Sequence, residues 1–563
     1  MTNQKKNTAT LIGIGTAVAV LIACGIALTN NIGKSTREIS EEDALKKMDK
    51  LLKNVTVTET TPRKATVDFS GSDLANSLPD INTYPLTITG NGEIDIEIFV
   101  SPEKAGTGSD GWMIETAKAF NSQNLRTTDN HTMSVSIRNI TSGTGSDYIV
   151  SGKYLPDAYT PSNTMWGTMA VSNGADLHMI SEKLAGNVAG ILISENMVKT
   201  LSSDYGDINI ETITNASKDG KIAMGYTYPY TSSTGLNFLV SALHSFDNAN
   251  PLSNTAVENF QQFQANVPFV CYTTQQMRNA MGSGSLNACI MEYQTYVNDP
   301  SLQKSYQFIP FGVRHDNPMY AVGNLTTEKE QVLQAFTDFC LSSEQQENAK
   351  KCGFNQMESY HSTEPEFDAV TLLNAQKLWK EEKDSGRPVV AVFIADVSGS
   401  MIGDPLNRLK ESLKSSSQYI GSKNYIGLVS YSNDVQVNLP IGEFDLNQRS
   451  YFTGAVEDLS ASGATCTYDA VLQGIKMLEE SKSAIPNAKP MLFVLSDGET
   501  NLGAKLRDIS DIVDALNIPI YTIGYNANLS ELTELSAINE AASIDADSED
   551  VIYKLGSLFN AQM

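Results

Sequence analysis

The stretch that most constrains this chain is Val389–Ala395, an unbroken apolar run that delivers Asp396, Val397, Ser398, Gly399 and Ser400. A strand with no polar residue has no face to turn to water, so it predicts a buried position in a sheet covered on both sides. In such doubly wound α/β sheets ligands bind at the carboxyl ends of the strands, where Asp396, Ser398 and Ser400 would lie. Those three side chains all carry oxygen, the donor that hard divalent cations prefer. Mg²⁺ keeps several waters, so two hydroxyls with water-bridged carboxylates would suit it. Alone, Asp-x-Ser-x-Ser is a weak signal, because ordinary turns are rich in serine and glycine.

Two further segments sharpen it. Gly463, Ala464, Thr465, Cys466, Thr467, Tyr468, Asp469 and Ala470 open a helix after a loop, and Leu495, Ser496, Asp497, Gly498, Glu499 and Thr500 end another buried strand. With these motifs in this order, residues 388–563 resemble a von Willebrand factor type A domain carrying a metal-ion-dependent adhesion site. The resemblance implies Ser398, Ser400 and Thr465 as hydroxyl ligands of Mg²⁺ or Mn²⁺. It implies Asp396 and Asp497 as carboxylates acting mostly through water. It also implies a binding activity, in which an acidic side chain of a partner protein completes the metal shell.

Charge and histidine placement exclude other classes. The chain has 563 residues and a formal charge of −25, which would repel a phosphate backbone, so nucleic acid is not an expected partner. The five histidines, His131, His178, His244, His315 and His361, show no zinc-site spacing. No paired nucleophile and base, and no phosphate-binding loop around Gly152 and Lys153, stands out, so the chain reads as a binding protein and not an enzyme.

Ala9–Leu28 is an uncharged run of 20 residues preceded by Lys5 and Lys6. At 1.5 Å per residue it spans about 30 Å, one bilayer core, and the basic flank leaves the rest of the chain on the outer face of the cell membrane. Residues 1–29 are therefore a signal or membrane anchor, either an uncleaved helix or a lipoprotein signal, Leu21-Ile22-Ala23-Cys24, ending in an acylated Cys24. Outside the cell disulfides are permitted. The pairs to expect are Cys271 with Cys289 and Cys340 with Cys352, leaving Cys466 free, unless all are small buried hydrophobes.

A linker spans 30–40, a domain 41–354, a connector 355–387 and the type A domain 388–563. Glu41–Lys53 reads as a charged amphipathic helix, and a further helix is expected around Val370–Lys383. From Ile94 onward, strands such as Ile94–Val100 and Ser134–Ile140 alternate with helical patterns such as Trp112–Asn121, an α/β rhythm. Three polar loops, at Ser101, at Thr141–Ser146 and at Thr231–Gly235, each precede or open a helix. Helix N-termini rich in free amides and hydroxyls suit a small oxyanion or carboxylate, with Ser101, Ser142, Thr144 and Thr234 as its ligands. Together with Leu155–Trp166 and the run ending in Glu292, residues 41–354 resemble a type 2 periplasmic solute-binding domain of the bacterial extracellular group fused ahead of a type A domain. The resemblance implies two α/β lobes around a cleft. The combined expectation is a surface-tethered adhesion protein. The alternative is a solute receptor for an ABC-type importer with an accessory type A domain.

Overall fold

The computed structural model describes residues 39–67, 74–267, 270–271, 277, 281, 286–498, 500–525, 530–539, 541–546 and 551–563. The apolar run 9–28 and Cys24 lie outside these residues. Among the described residues no helix is long and apolar enough to cross a membrane.

Among the described residues the C-terminal sheet has seven strands: β1 (Val57–Glu59), β2 (Val389–Asp396), β3 (Tyr425–Tyr431), β4 (Val435–Glu443), β5 (Lys489–Ser496), β6 (Ile520–Tyr525) and β7 (Ser543–Ala546). Their spatial order is β1-β4-β3-β2-β5-β6-β7. Neighbours run parallel except β3 and β4. Strand β2 is central and is buried along its whole length. Successive side chains of a strand point to opposite faces. Val389, Ala391, Phe393 and Ala395 therefore enter one apolar layer with Leu413 and Phe559, and Val390, Val392 and Ile394 enter the other with Ile475 and Ile509. This two-sided burial is why the run tolerates no polar residue.

The domain boundary expected at residue 41 is corrected by the structure. The helix Glu41–Leu52 forms as predicted, with the Ser40 hydroxyl accepting from the Asp43 amide at 3.1 Å. It packs, however, on the C-terminal sheet: Ala44 and Met48 join the layer containing Ile509, and Lys47 pairs with Asp511 at 2.7 Å. Strand β1 then extends the sheet beside β4, and Arg63 pairs with Glu457 and Asp458 at 2.8 and 2.9 Å. The middle domain is thus inserted between β1 and β2. The sequence of a short amphipathic helix states that one face is buried and not what buries it.

The connector is likewise shorter than expected. The helix Ala369–Glu382 belongs to the middle domain, where Leu372, Ala375 and Trp379 sit in the core and Trp379 Nε1 donates to the Tyr226 hydroxyl at 2.8 Å. Only about 383–388 remain to join the two bodies.

Among the described residues the middle domain has two sheets. One runs in the order Leu86–Ile88, Met133–Asn139, Ile94–Val100, Ala158–Thr160, Met319–Val322, Leu177–Ser181, and the other in the order Tyr306–Pro310, Ala189–Ser194, Ala288–Glu292, Met224–Gly225. The chain passes to the second sheet after Ser181 and returns before Met319, so each sheet forms one lobe.

The expected disulfides do not form: Cys271, Cys289, Cys340, Cys352 and Cys466 are all free thiols. Burial pushes the Cys289 thiol up to about 12 and raises those of Cys271 and Cys340. These cysteines pack as small apolar side chains beside Leu286, Met291 and Phe336.

Candidate functional sites

The carboxyl ends of β2 and β5 bring the C-terminal candidates together. Asp396 is fully buried at the end of β2 and accepts three hydrogen bonds: from the Ser398 amide at 2.8 Å, the Ser496 hydroxyl at 2.7 Å and the Tyr431 hydroxyl at 3.2 Å. The Ser398 and Ser400 hydroxyls lie 3.0 Å apart, and Ser400 donates to Asp497 Oδ1 at 2.8 Å. The loop carrying Thr465 is laced to the first loop by the Gly399 amide on the Gly463 carbonyl at 2.9 Å and the Ser462 amide on the Val397 carbonyl at 2.8 Å. Gly463 has φ +84, and a Cβ there would come within 2.9 Å of the Asn433 side chain, so only glycine makes this turn. The third loop is held by the Thr465 amide on Asn501 Oδ1 at 3.0 Å and the Asn501 amide on the Thr465 carbonyl at 3.1 Å. Sequence reasoning assigned no role to Tyr431, Ser496, Asn433 and Asn501, which position the rim from the sheet and the flanking loops.

The electrostatics of this rim point one way. Burial, and then the charge of Asp396, push the Asp497 carboxyl up, opposed by the hydrogen bond from Ser400. Among the described residues no lysine, arginine or histidine makes an ion pair with Asp396 or Asp497. No three His, Cys, Asp or Glu side chains gather to hold a metal anywhere among them. A cation at this rim would therefore rest on two carboxylates and on the hydroxyls of Ser398, Ser400 and Thr465. The Thr465 hydroxyl makes no hydrogen bond among the described residues and is available to one. The all-oxygen donor set and the unneutralised carboxylate pair suit a hard divalent ion.

In the middle domain Ser101, Ser142 and Thr234 line one cleft of about 520 Å³ between the lobes. Thr144 does not: it is buried within its own helix turn, where its hydroxyl accepts from that of Thr141 at 2.7 Å. The helices opening at Ser142 and Ser233 do aim their first turns at the cleft, capped by Thr141 and Ser232. Their hydroxyls bond one another, Ser233 to Ser142 at 3.1 Å, and the Thr234 hydroxyl donates to Glu292 Oε1 at 3.2 Å.

The cleft also carries Glu103, Asp110 and Glu292, to which the sequence reading gave no role. Glu103 is paired with Lys104, which is fully buried and bonds Ser101, Glu103 and, at 3.0 Å, Asn317 Oδ1. Burial opposes charge on Glu103, but Lys104 and Ser101 outweigh it and hold its carboxyl below the usual range. Glu292 Oε1 lies 2.9 Å from His315 Nδ1. Asn237 fixes the tautomer: its amide is oriented by bonds to and from Val313 at 2.8 and 3.1 Å, so its Nδ2 faces His315 Nε2 at 3.1 Å. Nε2 then accepts from Asn237, and Nδ1–H donates to Glu292. Among the described residues of the cleft, three carboxylates stand against one lysine.

Residues 391–559 match the family model of the von Willebrand factor type A domain. Inter-alpha-trypsin inhibitor heavy chain H3 of Bos taurus is 28% identical over 159 residues, which are 26% of this chain and 18% of that protein. The chain thus spans less than a fifth of that relative's length. Among solved structures, the sulfate-binding protein SubI from Mycobacterium tuberculosis H37Rv is similar at 14% identity and a TM-score of 0.33, covering 51% of this chain and 91% of its own. The periplasmic binding protein P5PA is similar at 13% identity and a TM-score of 0.37, covering 52% and 99%.

Proposed function

With residues 391–559 a von Willebrand factor type A domain, we propose that this chain is a binding protein that captures an acidic side chain of a partner protein through one Mg²⁺ or Mn²⁺ ion. Ser398, Ser400 and Thr465 hold the ion directly, and Asp396 and Asp497 hold it mainly through water. The ion supplies an open coordination position that a partner carboxylate fills. The observation that carries this reading is the buried Asp396 carboxylate near the half-buried Asp497, which accepts from Ser400, with no basic side chain paired to either among the described residues. The chain's own residues do no covalent chemistry in this reading.

Isothermal titration of the full-length chain with Mg²⁺ and Mn²⁺ tests the first step. Binding of an aspartate- and glutamate-bearing peptide panel with and without chelator tests the second. Equal metal affinity in wild type, Ser398→Ala and Thr465→Ala would refute the site.

We place the protein on the outer face of a cell membrane, held by residues 1–29, on the strength of the uncharged run and its basic flank. Protease added to intact cells should digest the body of the chain, and full protection would overturn this topology. The cleft supports a second role, capture of a small solute. Its carboxylates favour one that is cationic or rich in hydroxyl donors. If the importer-receptor alternative holds, solute binding will persist when Thr465→Ala removes the metal.

A further inference from the structure

The two bodies meet over a second cavity, of about 390 Å³, at the end of the seven-stranded sheet remote from the metal rim. It is entered where β5 begins, at Lys489, whereas the rim lies where β5 ends. The connector contributes Lys383, Asp384 and Arg387, and the middle domain contributes Gln264.

The charges in this cavity do not balance. Asp384 serves two lysines, accepting from Lys383 Nζ at 2.6 Å and Lys489 Nζ at 2.9 Å. Burial alone would raise the Asp384 carboxyl, but the two lysines bring it down to about 2, so it stays ionised. Arg387 makes no ion pair among the described residues, and its Nε is buried without a hydrogen-bond partner. Among the described residues lining it, three basic side chains face one carboxylate, an excess of positive charge in a chain whose formal charge is −25, with burial holding the Lys383 ammonium below its ordinary pKa. The carboxyl end of the helix Ala369–Glu382 attracts cations and accounts for Lys383. It does not account for Arg387, beyond the helix, or for Lys489, on the sheet.

We propose that this junction binds a small doubly charged oxyanion of the phosphate type, with Arg387 and Lys489 as its ligands. The planar guanidinium can grip two oxygens at once, and Lys489 adds a point charge from the other body. The volume lies at the lower end for ligand pockets and suits one small anion with its waters. The anion bridges the connector to β5 and so fixes how the inserted domain sits on the type A domain. The connector is one of two places where the chain passes between them, the other lying between Ala65 and Leu74.

Inorganic phosphate is the probe. Titrated into the full-length chain, it should bind saturably at one site, about tenfold more weakly in Arg387→Gln and in Lys489→Gln, as expected when one charge-assisted bond is removed. Lys118→Ala, at an exposed lysine of the middle domain, should leave the affinity unchanged. Hydrogen exchange should slow with phosphate at 383–389 in the wild type and not in Arg387→Gln. Absence of saturable binding, equal affinity in all variants, or protection confined to residues outside the junction would each overturn the assignment. Circular dichroism of both glutamine variants that matches wild type separates lost binding from lost folding.

Discussion

Ser400 donates its hydroxyl proton to Asp497 Oδ1 at 2.8 Å, closing a contact between residues 97 positions apart. Ser400 stands four residues beyond Asp396, where β2 ends, and Asp497 follows β5 directly, so the contact exists because β2 and β5 are parallel neighbours. The same hydroxyl lies 3.0 Å from that of Ser398, which makes Ser400 the hinge of the rim.

Metal affinity should fall as the pH is lowered through the raised pKa of Asp497, because a protonated carboxyl neither attracts the ion nor accepts from its waters. Asp396→Ala should be harsher than Asp497→Ala. It leaves the Ser398, Ser496 and Tyr431 donors without their acceptor, a cost of about 1–3 kcal/mol in stability in addition to the loss of metal. Titration calorimetry across pH, with thermal melts of both variants, checks both statements.

The acidic cleft should accept amines or polyols and refuse oxyanions. A solute that binds only the folded chain raises its stability by about 2.7 kcal/mol at a hundredfold excess over Kd. Glu292→Gln should abolish that gain for amines, since it removes the charge that Thr234 and His315 orient. An oxyanion that stabilises the chain and keeps doing so in Arg387→Gln would contradict the acidic reading of the cleft.

Glu364 makes stability fall as pH rises. Burial pushes its carboxyl up to about 7, against the hydrogen bond from the Ser241 hydroxyl at 2.6 Å. The folded chain therefore binds a proton that the unfolded chain has released, and stability present below about pH 4.5 is lost progressively through pH 7. The full effect is at most about 3 kcal/mol. Glu364→Gln should remove this contribution to the slope, and denaturant melts at pH 5 and 8 would read the difference; an unchanged slope counts against the burial argument.

A fragment starting at residue 388 should be less stable than one in which residues 39–65 are retained by fusion. Ala44 and Met48 would leave the apolar layer containing Ile509, and β4 would become an open edge. Met48→Ala alone should cost about 2–5 kcal/mol as a large-to-small core change. Chemical denaturation of the two fragments settles the point, and equal midpoints would mean that the N-terminal segment does not support the sheet.

Much of the C-terminal half was legible in the sequence because its signals are local. A short unbroken apolar run such as Val389–Ala395 reads as a buried strand, and Asp396, Ser398 and Ser400 then fall at its end. The helices at 41–52 and 369–382 were equally readable from their periodicity. Their partners were not, since amphipathicity reports that a face is buried and carries no record of which domain buries it. The sign of the cleft was hidden for a related reason. Glu103 and Glu292 are far apart in sequence, and only the closing of two lobes sets them beside Ser101 and Thr234 in one cleft. The charge at the junction was also out of reach, because Arg387 and Lys489 become neighbours only when the connector lies against the first residue of β5. The chain by itself determined its strands, its helices and the oxygen-bearing end of β2. The tertiary structure decided which charges share a cavity, because electrostatic interaction depends on distance through space and not on separation along the chain.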